Sequence, residues 1–174
     1  MCSGKNLPGP RYTNRVDKPS IRQEYLLKRR QISVDDAFSK SELIRHKLQS
    51  LIDWQSIRSV HIYHSQVALH EVDTSRIIDF VRSRWPQITL TIGKASPSAP
   101  LPSATYDLIV VPVVAFDAQR NRFGFGGGWY DRFLAMQPQA MTIGVAYDFQ
   151  QAATLPTEPH DVRLSRIITD AGVF

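Results

Sequence analysis

Residues 107–133 read DLIVVPVVAFDAQRNRFGFGGGWYDRF, an apolar run followed by a glycine-rich stretch. The nearly continuous apolar run, residues 107–116, is typical of a strand buried on both faces of a parallel sheet. Four glycines then occupy five positions, 124–128, and the amphipathic segment GWYDRFLAM follows. A strand that leads through a glycine-rich turn into a helix predicts an anion site at the carboxyl edge of a sheet, because free amides and the helix dipole face the ligand there.

The segments around this stretch alternate between helical and strand patterns. One helix is predicted in KPSIRQEYLLKRRQIS, with Pro19 in its first turn, and a second begins at the N-cap Ser33 with Asp36 three residues on. Its apolar stripe comprises Phe38, Ile44, Leu48, Leu51 and Ile52. A third helix is predicted in SRIIDFVRSRW, which is capped by Thr74 and stopped by Pro86, and its apolar face is Ile77, Ile78 and Val81.

Further strands are predicted at VHIY, ITLTI, TIGVAY and LSRIIT, whereas residues 93–105 are rich in Pro, Ser and Ala and read as loop. This alternation predicts a single three-layer α/β domain with a mostly parallel sheet. The domain is expected over residues 18–174, after a flexible basic tail at residues 1–17.

Charge and cysteine content narrow the class of protein. Residues 1–32 carry eight Lys or Arg against Asp17 and Glu24, whereas the remaining residues carry 13 basic and 14 acidic side chains. The net charge of +5 is therefore local, and a solvated tail explains it as well as an anionic partner does. With one cysteine, Cys2, no apolar h-region and no stretch of membrane-spanning length, we expect a cytoplasmic protein that does not bind a membrane. Because the basic stretch lacks interleaved aromatic residues and any recognised binding module, we also expect no nucleic-acid partner.

The glycine run matches neither common nucleotide fingerprint. Walker A requires a lysine after the glycines, and the dinucleotide motif requires a glycine where Trp129 stands. A tight turn that serves packing alone remains an alternative interpretation of these glycines. The neighbours favour a ligand, because Arg122 and Arg132 can pair with phosphate oxygens, Asp131 can hold a divalent cation, and Trp129 and Tyr130 offer flat faces.

Four segments together carry a family resemblance. VPVVAFDAQRNRFGFGGGWYDRFL resembles the signature of 5-formyltetrahydrofolate cyclo-ligases, in which a P-x-x-x-F-D segment leads into R-x-G-x-G-x-G-[YFW]-Y-D. KPSIR, HEVDT and LPTEPHDVRLSRIIT are similar, in the same order, to the family's K-x-x-[LI]-R, E-[VI]-[DE]-T and P-x-x-x-x-D-x-x-[LV]-D segments. The resemblance spans residues 18–169 and implies a fold like that of the coenzyme A transferase and ribose-phosphate isomerase group.

The resemblance also implies an activity, the ATP-dependent cyclisation of 5-formyltetrahydrofolate to 5,10-methenyltetrahydrofolate, with ADP and phosphate as the other products. ATP and Mg²⁺ would be the cofactors, the reduced folate the substrate, and the protein a monomer or weak homodimer. By this resemblance the ATP-binding residues are Lys18, Arg22, Arg122, Gly124, Phe125, Gly126, Gly127, Gly128, Trp129 and Tyr130. The catalytic residues are Arg122, Tyr130 and Asp131, with Asp131 also the magnesium ligand, and the folate-binding residues are Gln66, Glu71, Trp129 and Tyr130.

Several alternatives stay open. Glu71 could cap the following helix, Trp129 and Tyr130 could be core, and His160 with Asp161 reads as loop rather than as a catalytic or metal pair. The segment between ITLTI and DLIVVP is also shorter than is usual in the family, so we expect ordinary ATP binding and weak folate binding. The sequence is thus compatible with a working cyclo-ligase, with a nucleotide-binding relative that has lost or changed the folate substrate, and, less well, with a nucleic-acid-binding protein.

Overall fold

The computed structural model describes residues 17–93 and 98–174. Its helices are α1 (Lys18–Arg30), α2 (Val34–Leu51), α3 (Ser75–Arg84) and α4 (Trp129–Ala135). Its strands are β1 (Ser59–Tyr63), β2 (Thr89–Gly93), β3 (Leu108–Pro112), β4 (Ala115–Phe116), β5 (Arg122–Phe123), β6 (Met141–Val145) and β7 (Arg166–Ile168). Each helix and strand expected from the sequence has a counterpart, although residues 107–116 do not form one continuous strand. In the described part of the chain, no helix combines the length and apolar character that crossing a bilayer requires.

Five strands form one fully parallel sheet in the order β2-β1-β3-β6-β7. The chain passes from β1 through α3 to β2 on one side, and then crosses to β3 on the other side of β1. The strand order therefore reverses between β1 and β3. In open α/β sheets, ligands bind outside the carboxyl ends of the strands at such a switch point.

Burial on both faces of the sheet explains the apolar run in β3. Leu108 and Val110 pack in the cluster that includes the α2 and α3 side chains, whereas Ile109 and Val111 pack in the cluster that includes the α4 side chains. All four are fully buried. Helices thus cover both faces, and the expectation of an α/β fold with a mostly parallel sheet is confirmed.

The start of α1 places two basic side chains at the future site. The Asp17 side chain accepts a hydrogen bond from the Ser20 amide and caps the helix, and Pro19 occupies its first turn. Ile21 and Tyr25 are buried in a third cluster together with Phe123 of β5. Because α1 is docked beside β5, Lys18 and Arg22 lie next to the glycine stretch.

Four details of the sequence interpretation are wrong. Phe38 and Leu51 do not lie in the buried stripe of α2, since they are 48% and 41% exposed, and Arg76 covers the Phe38 ring. Thr74 does not cap α3 with its side chain, because its hydroxyl donates to the Tyr63 carbonyl. Gly93 lies in β2 and not in the loop.

The fourth error concerns residues 107–116, which are not one strand. The sheet strand ends at Pro112, which has no amide proton, and β4 then pairs antiparallel with β5. The carbonyls of Val113 and Val114 accept hydrogen bonds from Gln150 Nε2 at 2.7 and 2.8 Å. This side chain satisfies the backbone where the strand breaks.

Candidate active site

A cavity of about 270 Å³ lies at the switch point of the sheet. Tyr63, Gly93 and Pro112, the last residues of β1, β2 and β3, all line it. Every site residue that the resemblance implied also lines it: Lys18, Arg22, Gln66, Glu71, Arg122, Gly124, Phe125, Gly126, Gly127, Gly128, Trp129, Tyr130 and Asp131. Residues separated by more than 100 positions in the sequence therefore meet in one place.

The glycine loop, residues 124–128, presents unused amide groups to this cavity. Within the residues that the structure describes, none of its five amides donates to a protein acceptor. Gly126 and Gly128 have φ of +100° and +62°, a backbone conformation that disfavours side chains with a Cβ. The Gly124 carbonyl accepts a hydrogen bond from Arg22 Nε at 3.0 Å, which fixes the loop against α1. Five amides without a protein acceptor in a loop that lines the cavity suit an anionic ligand.

Arg122 lies beneath this loop with part of its hydrogen-bonding capacity unused. Its guanidinium is almost fully buried and Nη2 lies 3.2 Å from Asp131 Oδ1, yet in the described part of the chain neither Nε nor Nη2 makes a well-directed hydrogen bond. Burial lowers the pKa of Arg122, although the Asp131 charge opposes this shift. A buried cation with unpaired donors is unfavourable unless something else satisfies it. The arrangement therefore fits an anion that binds at this wall.

Asp131 and Tyr130 flank Arg122. Asp131 Oδ1 also accepts a hydrogen bond from the Val162 amide at 3.2 Å, whereas Oδ2 accepts none from the described residues. The Tyr130 ring lies 6.0 Å from the Arg122 guanidinium, and its buried hydroxyl has no partner among those residues. Burial raises the pKa of Tyr130, so the hydroxyl stays protonated and can donate a hydrogen bond.

An ion-pair cluster that sequence reasoning missed closes one side of the cavity. The Lys18 ammonium lies 2.6 Å from Asp161 Oδ2 and 2.9 Å from Glu158 Oε2, and His160 Nε2 lies 3.3 Å from the same Glu158 oxygen. Burial lowers the pKa of Lys18, but the hydrogen bonds and charges of Asp161 and Glu158 outweigh it, so the net shift is upward. Lys18 is therefore a fixed cation at the cavity wall.

Glu71 and Gln66 also line the cavity. Glu71 is buried and its Oε2 accepts a hydrogen bond of 2.7 Å from the Gln66 amide, so Glu71 does not cap α3. Asp73 does so instead, by accepting from the Ser75 amide. Burial raises the pKa of Glu71, while the Gln66 hydrogen bond and the Arg29 and His64 charges oppose this shift. A buried carboxylate at a cavity wall suits N–H groups of a ligand.

Trp129 is largely core. Its side chain is buried in the cluster with Phe133, and Nε1 donates to the Ala99 carbonyl at 3.1 Å. It also lines the cavity, so both readings of this residue hold in part. Its indole face is less exposed to a ligand than the motif suggested.

The sequence interpretation missed several cavity residues, among them Tyr63, His64, Glu158, His160 and Asp161. His160 and Asp161 do lie in a loop, as expected, but this loop contributes to the cavity. The one available signal was the P-x-x-x-x-D resemblance, in which the final residue is Asp161. The roles of all these residues stay predictions.

The comparisons with known proteins agree with this arrangement. A sequence model of the 5-formyltetrahydrofolate cyclo-ligase family matches residues 82–170. The 5-formyltetrahydrofolate cyclo-ligase of Mycoplasma genitalium is 30% identical over 163 residues, which cover 88% of this chain and 98% of that protein. The chain belongs to the 5-formyltetrahydrofolate cyclo-ligase family.

Solved structures of 5,10-methenyltetrahydrofolate synthetases agree with this membership of the cyclo-ligase family. The Mycoplasma pneumoniae protein superposes with a TM-score of 0.76 at 28% identity, covering 88% of this chain and 99% of that one. The Aquifex aeolicus protein superposes with a TM-score of 0.74 at 27% identity, covering 90% and 91%. The fold is therefore shared over nearly the whole of each relative.

The short middle segment does not set this chain apart from every cyclo-ligase. The M. genitalium alignment covers 163 positions and 88% of the 174 residues here, or about 153, so that relative is longer over it by at most about ten residues. It has no room for a segment of several tens of residues that this chain lacks. The compact form thus also occurs in a protein that carries the cyclo-ligase name.

Proposed function

We propose that this protein catalyses the ATP-dependent cyclisation of 5-formyltetrahydrofolate to 5,10-methenyltetrahydrofolate in the cavity at the switch point. In this reaction the formyl oxygen attacks the γ-phosphorus of ATP and ADP leaves. N10 of the folate then forms a bond to the formyl carbon and loses its proton, and the formyl oxygen leaves with the phosphate. Membership of the family supports the reaction, and the donor groups of the cavity support its location.

The triphosphate would lie against the glycine loop and the basic side chains beside it. Phosphoryl transfer depends on positioning and on neutralising charge more than on covalent help from the protein. The unused amides of residues 124–128 and the unpaired nitrogens of Arg122 provide both, because they are held in place before the ligand binds. Lys18 and Arg22 add two cations from α1.

The folate would occupy the side of the cavity formed by Glu71 and Gln66. The buried Glu71 carboxylate can accept hydrogen bonds from the N–H groups of a pterin, and the Tyr130 hydroxyl can donate to a carbonyl oxygen such as that of the formyl group. In this arrangement the formyl oxygen would face the phosphates. The expectation of weak folate binding remains a prediction that calorimetry would test.

Magnesium would be held by the carboxylates of Asp131 and Asp161, with Glu158 nearby, since carboxylate oxygens are its preferred protein ligands. Asp131 Oδ2 accepts no hydrogen bond from the described residues, whereas Asp161 Oδ2 accepts hydrogen bonds from Lys18 and from the Glu158 amide. The bound ion would neutralise phosphate charge. The chain's own contribution is the set of carboxylates, together with the Arg122 charge that keeps Asp131 in place.

The observation that carries the proposal is that all thirteen residues implied by the family motifs line a single cavity. The test is to incubate the purified protein with Mg²⁺, ATP and 5-formyltetrahydrofolate and to follow the absorbance of 5,10-methenyltetrahydrofolate. We expect product only when all three are present. A protein that binds ATP in calorimetry but forms no product would instead be a nucleotide-binding relative with another substrate.

A further inference from the structure

Phe125 is an exposed aromatic ring in an otherwise covered set. Of the aromatic side chains that line the cavity within the described residues, Tyr63, Phe123 and Trp129 are buried and Tyr130 is partly buried. Phe125 is 48% exposed, although it stands between Gly124 and Gly126 in the loop that presents the free amides. An exposed ring beside a group of anion-binding amides calls for a ligand that has both a charged and a flat part.

Arg29 supports this ring from behind. Its guanidinium carbon lies 5.3 Å from the centre of the Phe125 ring, within the range of a cation–π contact. The side chain is only 2% exposed, and Nε and Nη2 are buried without a hydrogen-bond partner in residues 17–93 and 98–174. The Glu71 charge favours the charged guanidinium, but these two nitrogens still lack an acceptor among the described residues, which is unfavourable. Phe125 remains 48% exposed although Arg29 lies against its ring, so the residue keeps surface that a ligand can contact.

Two arginines of α1 fix the orientation of Phe125. Arg22 holds the Gly124 carbonyl, and Arg29, seven residues and about two turns further along the same helix face, holds the ring itself. A phenylalanine flanked by glycines would otherwise sample many orientations. This support lowers the entropy that a ligand must overcome when it stacks on the ring.

We propose that Phe125, backed by Arg29, is a stacking platform for the flat heterocycle of a ligand in this cavity. The inference rests on the proposed function, whose two substrates both join an anionic tail to a flat heterocycle, the purine of ATP and the pterin of the folate. The purine and the pterin each have a π-face that can stack on an aromatic side chain. Arg29 is a positioning residue for Phe125, and its charge also acts on Glu71.

The test compares binding of ATP, inorganic tripolyphosphate and 5-formyltetrahydrofolate to the full-length protein by calorimetry. Phe125→Leu keeps an apolar side chain but removes the aromatic face, and Phe125→Trp keeps that face. Phe38→Leu is the matched control, because Phe38 is also 48% exposed and stacked by an arginine, Arg76, but does not line the cavity.

We expect Phe125→Leu to weaken one of the two ring-containing ligands by about tenfold or more, and to leave tripolyphosphate unchanged. A loss for ATP identifies the purine as the stacked ring, and a loss for the folate identifies the pterin. Phe125→Trp should retain wild-type affinity, and Phe38→Leu should change nothing. Arg29→Met should weaken the same ligand less in the Phe125→Leu background than in the wild-type background, because part of its effect passes through the Phe125 ring and the rest through its charge on Glu71.

Two results would contradict the stacking proposal and leave the proposed function untouched. One is unchanged affinity of Phe125→Leu for both ring-containing ligands while the wild-type protein binds them. The other is an equal loss for tripolyphosphate, which would mean that the substitution distorts the loop. If the wild-type protein binds neither ATP nor the folate, the proposed function fails and the platform fails with it.

Discussion

Gly126→Ala tests whether the glycine loop must keep its observed backbone to bind ATP. The φ of Gly126 is +100°, and a left-handed conformation is unfavourable by about 1–2 kcal/mol for a residue that has a Cβ. Direct crowding is not the cause, since the new methyl group would lie 3.5 Å from the Arg22 side chain, an ordinary contact. The expected effect is therefore conformational.

This strain can appear in either of two measurements. If the loop keeps its conformation in the free protein, the free energy of unfolding falls; if the loop relaxes, the ATP dissociation constant rises instead. The predicted quantity is the sum of the two losses, about 1–2 kcal/mol, which corresponds to a factor of about 5–30 in an equilibrium constant. Urea unfolding and calorimetry with ATP measure the two parts.

Gly172→Ala is the matched control, since no φ in the left-handed range occurs there and a Cβ would meet nothing within 4 Å. Both quantities should stay at their wild-type values in that variant. If Gly126→Ala also leaves the free energy of unfolding and the ATP affinity unchanged, the loop tolerates a Cβ in its binding conformation and the prediction is wrong.

Three further predictions concern charged and titratable groups. Lys18→Ala should weaken ATP binding roughly tenfold, and the loss of affinity should be smaller at high salt, which calorimetry at two salt concentrations measures. A loss of affinity that does not depend on the salt concentration would argue against a charge effect. Arg122→Met should lower kcat/KM about a hundredfold. The free energy of unfolding should change little, because Asp131 keeps its hydrogen bond from the Val162 amide and stays partly exposed to water. Unchanged turnover would show that Arg122 does not take part in the reaction. Burial lowers the pKa of His61 to about 4, so the unfolded chain takes up its proton from about pH 6.5 downward and the folded chain does not. The free energy of unfolding should therefore fall by up to about 3 kcal/mol as the pH is lowered from about 6.5 to about 4. Urea unfolding of His61→Phe should show a smaller fall over the same range. The same pH dependence in the wild-type protein and in His61→Phe would contradict this prediction.

Local patterns predicted the parts of the site that are contiguous in sequence. The glycine loop follows from glycine spacing, and the start of α1 follows from Asp17, Pro19 and the apolar repeat, since both depend on neighbouring residues. The prediction that Phe38 is buried was wrong because an apolar residue at helical spacing can be covered by a surface arginine instead of packing in the core.

Contacts between distant segments could not be predicted from such patterns. Lys18 meets Glu158 and Asp161 across at least 140 positions, and the acidic residues lie in an irregular loop without periodicity. The backing of Phe125 by Arg29 depends on how α1 docks on β5 and the loop. Only the packed fold brings these groups together.

Measuring ADP and 5,10-methenyltetrahydrofolate in the same reaction tests whether this protein couples ATP cleavage to cyclisation of the folate. With the wild-type protein, Mg²⁺, ATP and 5-formyltetrahydrofolate, we expect one ADP for each methenyl product, and both products to form about a hundredfold more slowly with Arg122→Met at low substrate concentrations. ADP formed without methenyltetrahydrofolate, or equal turnover in the wild-type protein and Arg122→Met, would contradict this expectation.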